Sequence, residues 1–203
     1  MQGRLAELWQ RIGAESTSDS AFKMLDVLYS DKNRFYHTWD HIKNCLDEFS
    51  AARHLAVHPN EVEFALWFHD AIYDTRAKDN EEQSALMAYH VCMVAGLSEL
   101  FTERVKSRIL VTNHIAIPEN IDERLMVNTD LSILGKPAEE FDEYEKNIRK
   151  EYLWVPEEEY KKGRKGILQG FLDRPVIYSI DLFMDNYEEH ARENLERAIK
   201  QLG

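Results

Sequence analysis

His41, the dipeptide His69-Asp70 and Asp130 are the side chains of this sequence best suited to hold a metal ion. Neutral imidazoles and ionised carboxylates are standard donors for divalent first-row ions. His41, His69 and Asp130 stand where apolar periodicity predicts an inward-facing position. His69 takes the i+7 place in the stripe Val62, Ala65, Leu66, and His41 opens a stretch whose Ile42, Cys45, Leu46 and Phe49 share one helical face. Asp70 falls near the predicted C-terminal end of its helix, where the macrodipole disfavours a carboxylate, so a cation or a set of donors must favour it. Asp130 lies among Met126, Val127, Leu131 and Leu134 at helical spacing, and an unpaired carboxylate there would be costly. His114 sits on the Leu110, Val111 side of a stretch read as helical over 98–114. Separate helices thus aim imidazoles and carboxylates inward, and one metal ion would satisfy them.

The ordered set His41, then His69-Asp70, then Asp130 resembles the H…HD…D signature of the HD-domain metal-dependent phosphohydrolases. The surrounding text RFYHTWDHI, FHDAIYD, DNEEQSA and NTDLSILG is similar to one bacterial branch of uncharacterised members, and the similarity continues through EYLWVP and GRKGILQGFLDRPVIY. The resemblance implies one HD-domain-like domain over 1–203, with the metal site built from about 34–134 and a C-terminal helical extension over 137–203. It implies His41, His69, Asp70 and Asp130 as ligands of one divalent ion (Mn, Mg, Ni, Co, Fe or Zn), with a second ion allowed for. The expected reaction is hydrolysis of a phosphate ester in a nucleotide or other small phosphorylated metabolite, using water activated by the ion.

Around that set stand further candidates. Asp74, four residues past Asp70, and Glu81 are the two candidates for the acid that protonates the leaving oxygen or orients water. Arg34, His37, Lys78, His114 and Arg164 are candidate substrate contacts, with Lys165 beside the last. Tyr36, Trp39 and Tyr73 border the proposed ligands. His37 and His41 form an i, i+4 pair, but HTWDH carries Thr38 where a zinc protease needs glutamate. Gly163, Gly166 and Gly170 make neither GxGxxG nor a P-loop, and GxSxG is absent. Ala71-Ile72-Tyr73 follows Asp70 in place of the HDxGK extension, which lowers cyclic dinucleotides as substrates. Two other readings stay open. One is an HD-fold di-iron oxygenase drawing on His90 and His114, and the other is a non-catalytic metal- or ligand-binding module.

The elements that must position these groups read as helices throughout. The 203 residues hold only 8 Gly and 5 Pro, with no sustained apolar–polar alternation, so the expected fold is all-α with about eight to ten helices. Breaks are predicted at Pro59-Asn60, Lys78-Asp79-Asn80, Gly96, Pro118 and Gly135-Lys136-Pro137, and the tail YEEHARENLERAIKQ as an exposed amphipathic helix. With 25 Lys+Arg against 37 Asp+Glu, the net charge of −12 excludes a basic nucleic-acid binder, and no duplex partner is expected. It also requires local cations, besides any metal, to capture phosphate. No stretch reads as a membrane span or a signal h-region, so the expected location is cytoplasmic, with no membrane partner and a homodimer among the expected assemblies. Cys45 and Cys92, without CxxC spacing, are expected as reduced, buried thiols.

Overall fold

The computed structural model describes residues 1–203 and is all-helical, with no strand. Ten α-helices follow in chain order: α1 (Gln2–Arg11), α2 (Ser18–Tyr29), α3 (Trp39–Ala52), α4 (Pro59–Phe68), α5 (Asn80–Val94), α6 (Glu99–Leu110), α7 (Ile121–Asp130), α8 (Ala138–Glu151), α9 (Glu157–Leu172) and α10 (Asp181–Leu202). Short 3-10 turns extend α3, α6 and α7. No helix is long and apolar enough to cross a membrane. The predicted breaks coincide with helix starts at Pro59 and Asn80 and with Gly96, whose positive φ of +71° ends the turn after α5.

The chain forms two compact units, Met1–Val127 and Asn128–Gly203, and the division falls inside α7. In the first unit, α4 is the hub. It packs against α1, α3, α5 and α6, and every residue from Glu61 to His69 is buried. The sequence shows an apolar stripe on this helix, whereas the structure buries it on all sides. That burial brings Glu61 and Glu63 inside with it. Glu63 is neutralised by Arg11 and Arg53, and Glu61 by Arg104 at 3.4 Å, since buried carboxylates survive only when paired. A third buried pair joins Arg108 of α6 to Asp122, whose carboxylate also accepts the backbone N–H groups of Val57 at 2.8 Å and His58 at 3.0 Å. Asp122 thereby fixes the entry into α4.

The second unit is built on the 3-10 turn Leu131–Gly135, which packs against α8 and α10, with α9 against α10. Asn194 of α10 donates to the carbonyls of Leu134 and Lys136, and Asn128 accepts from the backbone N–H groups of Ser179 and Ile180, each at 3.0 Å. Gly135 is required by close approach. A Cβ there would lie 2.6 Å from the Tyr187 carbonyl oxygen and 2.7 Å from its Cα. The tail is an amphipathic helix as expected, burying Phe183, Ala191, Leu195 and Ala198 while Glu189, Glu193 and Glu196 stay exposed.

Candidate metal centre

Two helix ends bring the first three candidate ligands together. Thr38 caps α3, its hydroxyl accepting from the Asp40 N–H, so His41 falls in the first turn on the buried face. His69 is the C-terminal cap of α4, and Asp70 follows where the helix has ended. His69 is 1% exposed and His41 4%. The ring of His69 is oriented by its own helix: Nδ1 lies 3.0 Å from the Leu66 carbonyl oxygen, which can only accept. Nδ1 therefore carries the proton, and Nε2 presents a lone pair to the centre.

The three donor atoms form a nearly equilateral triangle. His41 Nε2 lies 3.2 Å from His69 Nε2, and each nitrogen lies 3.1 Å from Asp70 Oδ2. Donors about 2.1 Å from one ion would be about 3.0 Å apart at right angles and about 3.4 Å apart in a tetrahedron, so the observed edges fall between the two. The donor set also suits a cation chemically. Two imidazole nitrogens and a carboxylate oxygen, packed this closely with one lone pair already committed inward, need a positive charge among them. Burial alone would raise the pKa of Asp70, but where no ion is bound and the imidazoles are protonated, the charges of His69 and His37 and the hydrogen bonds of His41 and His69 outweigh it and hold the carboxyl well below its ordinary range.

Cys45, one turn after His41, is a side chain that reading the sequence for apolar faces counted as core alone. Its Sγ belongs to the same group, with the ligand atoms of His41, Cys45 and His69 all within 4.8 Å of one another. The sulfur lies 3.8 and 3.7 Å from the two ring nitrogens of His41. Near-equidistance sets it against the ring, off the line of the Nε2 lone pair, so it packs on the imidazole. Both cysteines are free and buried, as expected, and burial pushes the Cys92 thiol up to about 12.

Arg34 lies at the edge of this centre and its guanidinium is taken up by backbone. Nη1 donates to the carbonyls of Asp70 at 2.6 Å and His37 at 3.2 Å, and Nη2 donates to that of Ala71 at 2.7 Å. The group also lies against the rings of Tyr29 and Tyr73. His37 stacks on Tyr73, ring centroids 3.9 Å apart, so these two aromatic surfaces cover each other. Tyr29 is buried, its hydroxyl donating to the Trp67 carbonyl, and burial together with the charge of Asp70 pushes its pKa well up.

The remaining candidates are placed as follows. Asp74 is not one helical turn from Asp70, because α4 ends at Phe68. It is exposed in a loop, its carboxylate accepting from Arg76 N–H and its backbone doubly bonded to the Asn80 side chain. Lys78 is exposed in the same loop. Glu81, in the first turn of α5, is half-buried, and burial with the nearby charge of Asp70 raises its pKa against the opposing charge of His114. His114 is not helical: α6 stops at Leu110, and after a 3-10 turn His114 adopts φ 58°, a conformation uncommon for a residue with a Cβ. His90 is exposed on α5. In the second unit, Asp130 is the last residue of α7, half-buried, and its charge bears on Tyr144. Arg164 is buried on α9, paired with Glu145 and donating to the Tyr144 hydroxyl at 2.6 Å, while Lys165 reaches the Gly203 carbonyl oxygen.

No family model, curated protein or solved structure matches this chain.

Proposed function

We propose that the chain is a metal-dependent phosphohydrolase of the HD-domain kind, acting on a phosphate ester of a small metabolite such as a nucleotide. The observation that carries this reading is the triangle of His41 Nε2, His69 Nε2 and Asp70 Oδ2, two buried imidazoles and a half-buried carboxylate suited to a divalent cation. Asp130 is the proposed fourth ligand, from its place in the H…HD…D order of the sequence. A divalent ion, once bound, supplies Lewis acidity toward a phosphoryl oxygen and lowers the pKa of water.

The chain's own groups have distinct tasks. The bond from His69 Nδ1 to the Leu66 carbonyl keeps Nε2 aimed, and Arg34 holds the backbone of Asp70 and Ala71 so that the Asp70 carboxylate keeps its place. Arg34 is thus a positioning residue. As the P–O ester bond breaks, the leaving oxygen needs a proton, and Glu81 is the group assigned to give it. Its raised pKa lets it hold a proton at milder pH than an ordinary glutamate. Asp74, already occupied in organising its loop, is the weaker candidate. Lys78 on that loop is the exposed cation assigned to meet the phosphate, and His37 and His114 are assigned as flanking polar contacts.

The test is hydrolysis of a panel of nucleotides and sugar phosphates with Mn²⁺, Co²⁺, Ni²⁺ and Mg²⁺. At least one pairing should turn over, Asp70→Asn should abolish it, and Glu81→Gln should lower kcat by about 10²–10⁴ with KM little changed. Metal-loaded protein silent across the panel would favour a binding module. The exposed position of His90 offers no observation in favour of the di-iron reading.

A further inference from the structure

α4 ends after Phe68 although neither Gly nor Pro follows, and the bonds that end it come from elsewhere in the chain. An α-helix carried on through this stretch would send the Ile72 N–H to the Phe68 carbonyl, four residues back. That carbonyl instead accepts from the Ala71 N–H at 3.0 Å, and the Ile72 N–H donates to the Ser84 hydroxyl at 3.0 Å. The same hydroxyl donates to the Ile72 carbonyl at 3.2 Å. Arg34 takes the two carbonyls before it, so those of Asp70, Ala71 and Ile72 are all held by side chains. Ser84 itself is fully buried in α5, followed there by Ala85 and, one turn on, Ala88. A serine inside a helix ordinarily turns its hydroxyl back to the carbonyl three or four residues earlier, and alanine would suit the helix better. Here both the donor and the acceptor capacity of the hydroxyl go to one residue, twelve positions away, in the segment that carries Asp70.

We propose that Ser84 is a positioning residue of the metal centre: by capturing the Ile72 N–H it stops α4 at the register in which Asp70 Oδ2 lies 3.1 Å from both histidine nitrogens. It acts through the backbone, two residues past the carboxylate it places. Without the hydroxyl, the Ile72 N–H is left to the Phe68 carbonyl or to water. Taking the carbonyl would wind the chain further along α4 and turn the Asp70 carboxylate off the triangle. A separate tie lies farther along the same segment, where Asn80, one turn before Ser84 on α5, holds the N–H of Asp74 at 2.9 Å and its carbonyl at 3.0 Å. The inference rests on His41, His69 and Asp70 being metal ligands, as in the reading above, and not on hydrolysis of any ester.

The test is titration of the full chain with Mn²⁺, the free ion being read by electron paramagnetic resonance. Ser84→Ala should keep its helical circular dichroism and bind Mn²⁺ about tenfold or more weakly. Ser84→Cys, which fills the same space with a weak donor and acceptor, should weaken binding in the same direction. Asn80→Ala should stay within about twofold of the wild type, because its ties fall four residues past Asp70. Lowered melting temperatures with Mn²⁺ affinity unchanged in both Ser84 variants would make the hydroxyl a structural tie alone and overturn the proposal. An equal loss in Asn80→Ala would also overturn it, since any loosening of the segment from α5 would then have the same effect. A wild type that binds no Mn²⁺ would remove the ligand assignment and this proposal together. A wild type that binds Mn²⁺, loses it in the Ser84 variants and hydrolyses no ester would remove the hydrolase reading and support the proposal.

Discussion

Arg34 illustrates how the partners a side chain finds in the fold bear on the task its type suggests. In sequence it stands as a cation ahead of two histidines, which suggests phosphate capture. In the fold it donates to three carbonyls, two of them on the segment that carries Asp70. Charge-assisted bonds of this kind carry roughly 1.5–3 kcal/mol in net terms, so Arg34→Ala should destabilise the protein by about 2–3 kcal/mol. Loss of a group that orients a ligand typically costs 10–100-fold in metal affinity, and a titration of Arg34→Ala with Mn²⁺ should show a loss of that order. Glu81 gives a residue-scale pH signature. Burial and the charge of Asp70 raise its folded pKa above the unfolded value, so its contribution to stability is present below the unfolded pKa and is lost as pH rises through the folded one. Urea unfolding of Glu81→Gln should therefore show a smaller stability loss than the wild type between pH 4 and pH 7. Equal losses would place Glu81 in an ordinary solvated environment.

Helices and their breaks were largely legible, because 3.6-residue periodicity and Pro, Gly and Asn punctuation are local signals. His41 and His69 on buried faces follow from the same periodicity. What sequence could not give was the end of a helix where no breaker stands: α4 stops after Phe68 without Gly or Pro, which moved Asp74 out of reach of a one-turn relation to Asp70. α6 likewise stops before His114. Nor could periodicity reveal that α4 is buried all round, and with it the pairing of Glu61, Glu63 and Asp122 to arginines from distant helices. Two predictions belong to this scale. Asp122→Ala leaves Arg108 charged and buried and frees the N–H groups of Val57 and His58, so thermal or chemical unfolding should show a loss of about 3–5 kcal/mol. Gly135→Ala forces a Cβ onto the backbone of Tyr187 and should cost about 1–3 kcal/mol or more, whereas Gly163→Ala, with open space around it, should not destabilise.

Across the whole molecule, a chain of net charge −12 concentrates imidazoles about one half-buried carboxylate in its first unit, where a cation resolves the electrostatics. Ligand binding to the native state stabilises it by mass action, so an ion at about 100 times its Kd adds about 2.7 kcal/mol and raises Tm by roughly 5–10 °C for a protein of this size. EDTA should reverse the rise, and so should acid, because protonated imidazoles do not ligate. The measurement closest to the central claim is anomalous scattering from crystals grown with Mn²⁺. One peak is expected within coordinating distance of His41 Nε2, His69 Nε2 and Asp70 Oδ2; a fully occupied peak elsewhere, or none beside these three atoms, would contradict a metal centre there.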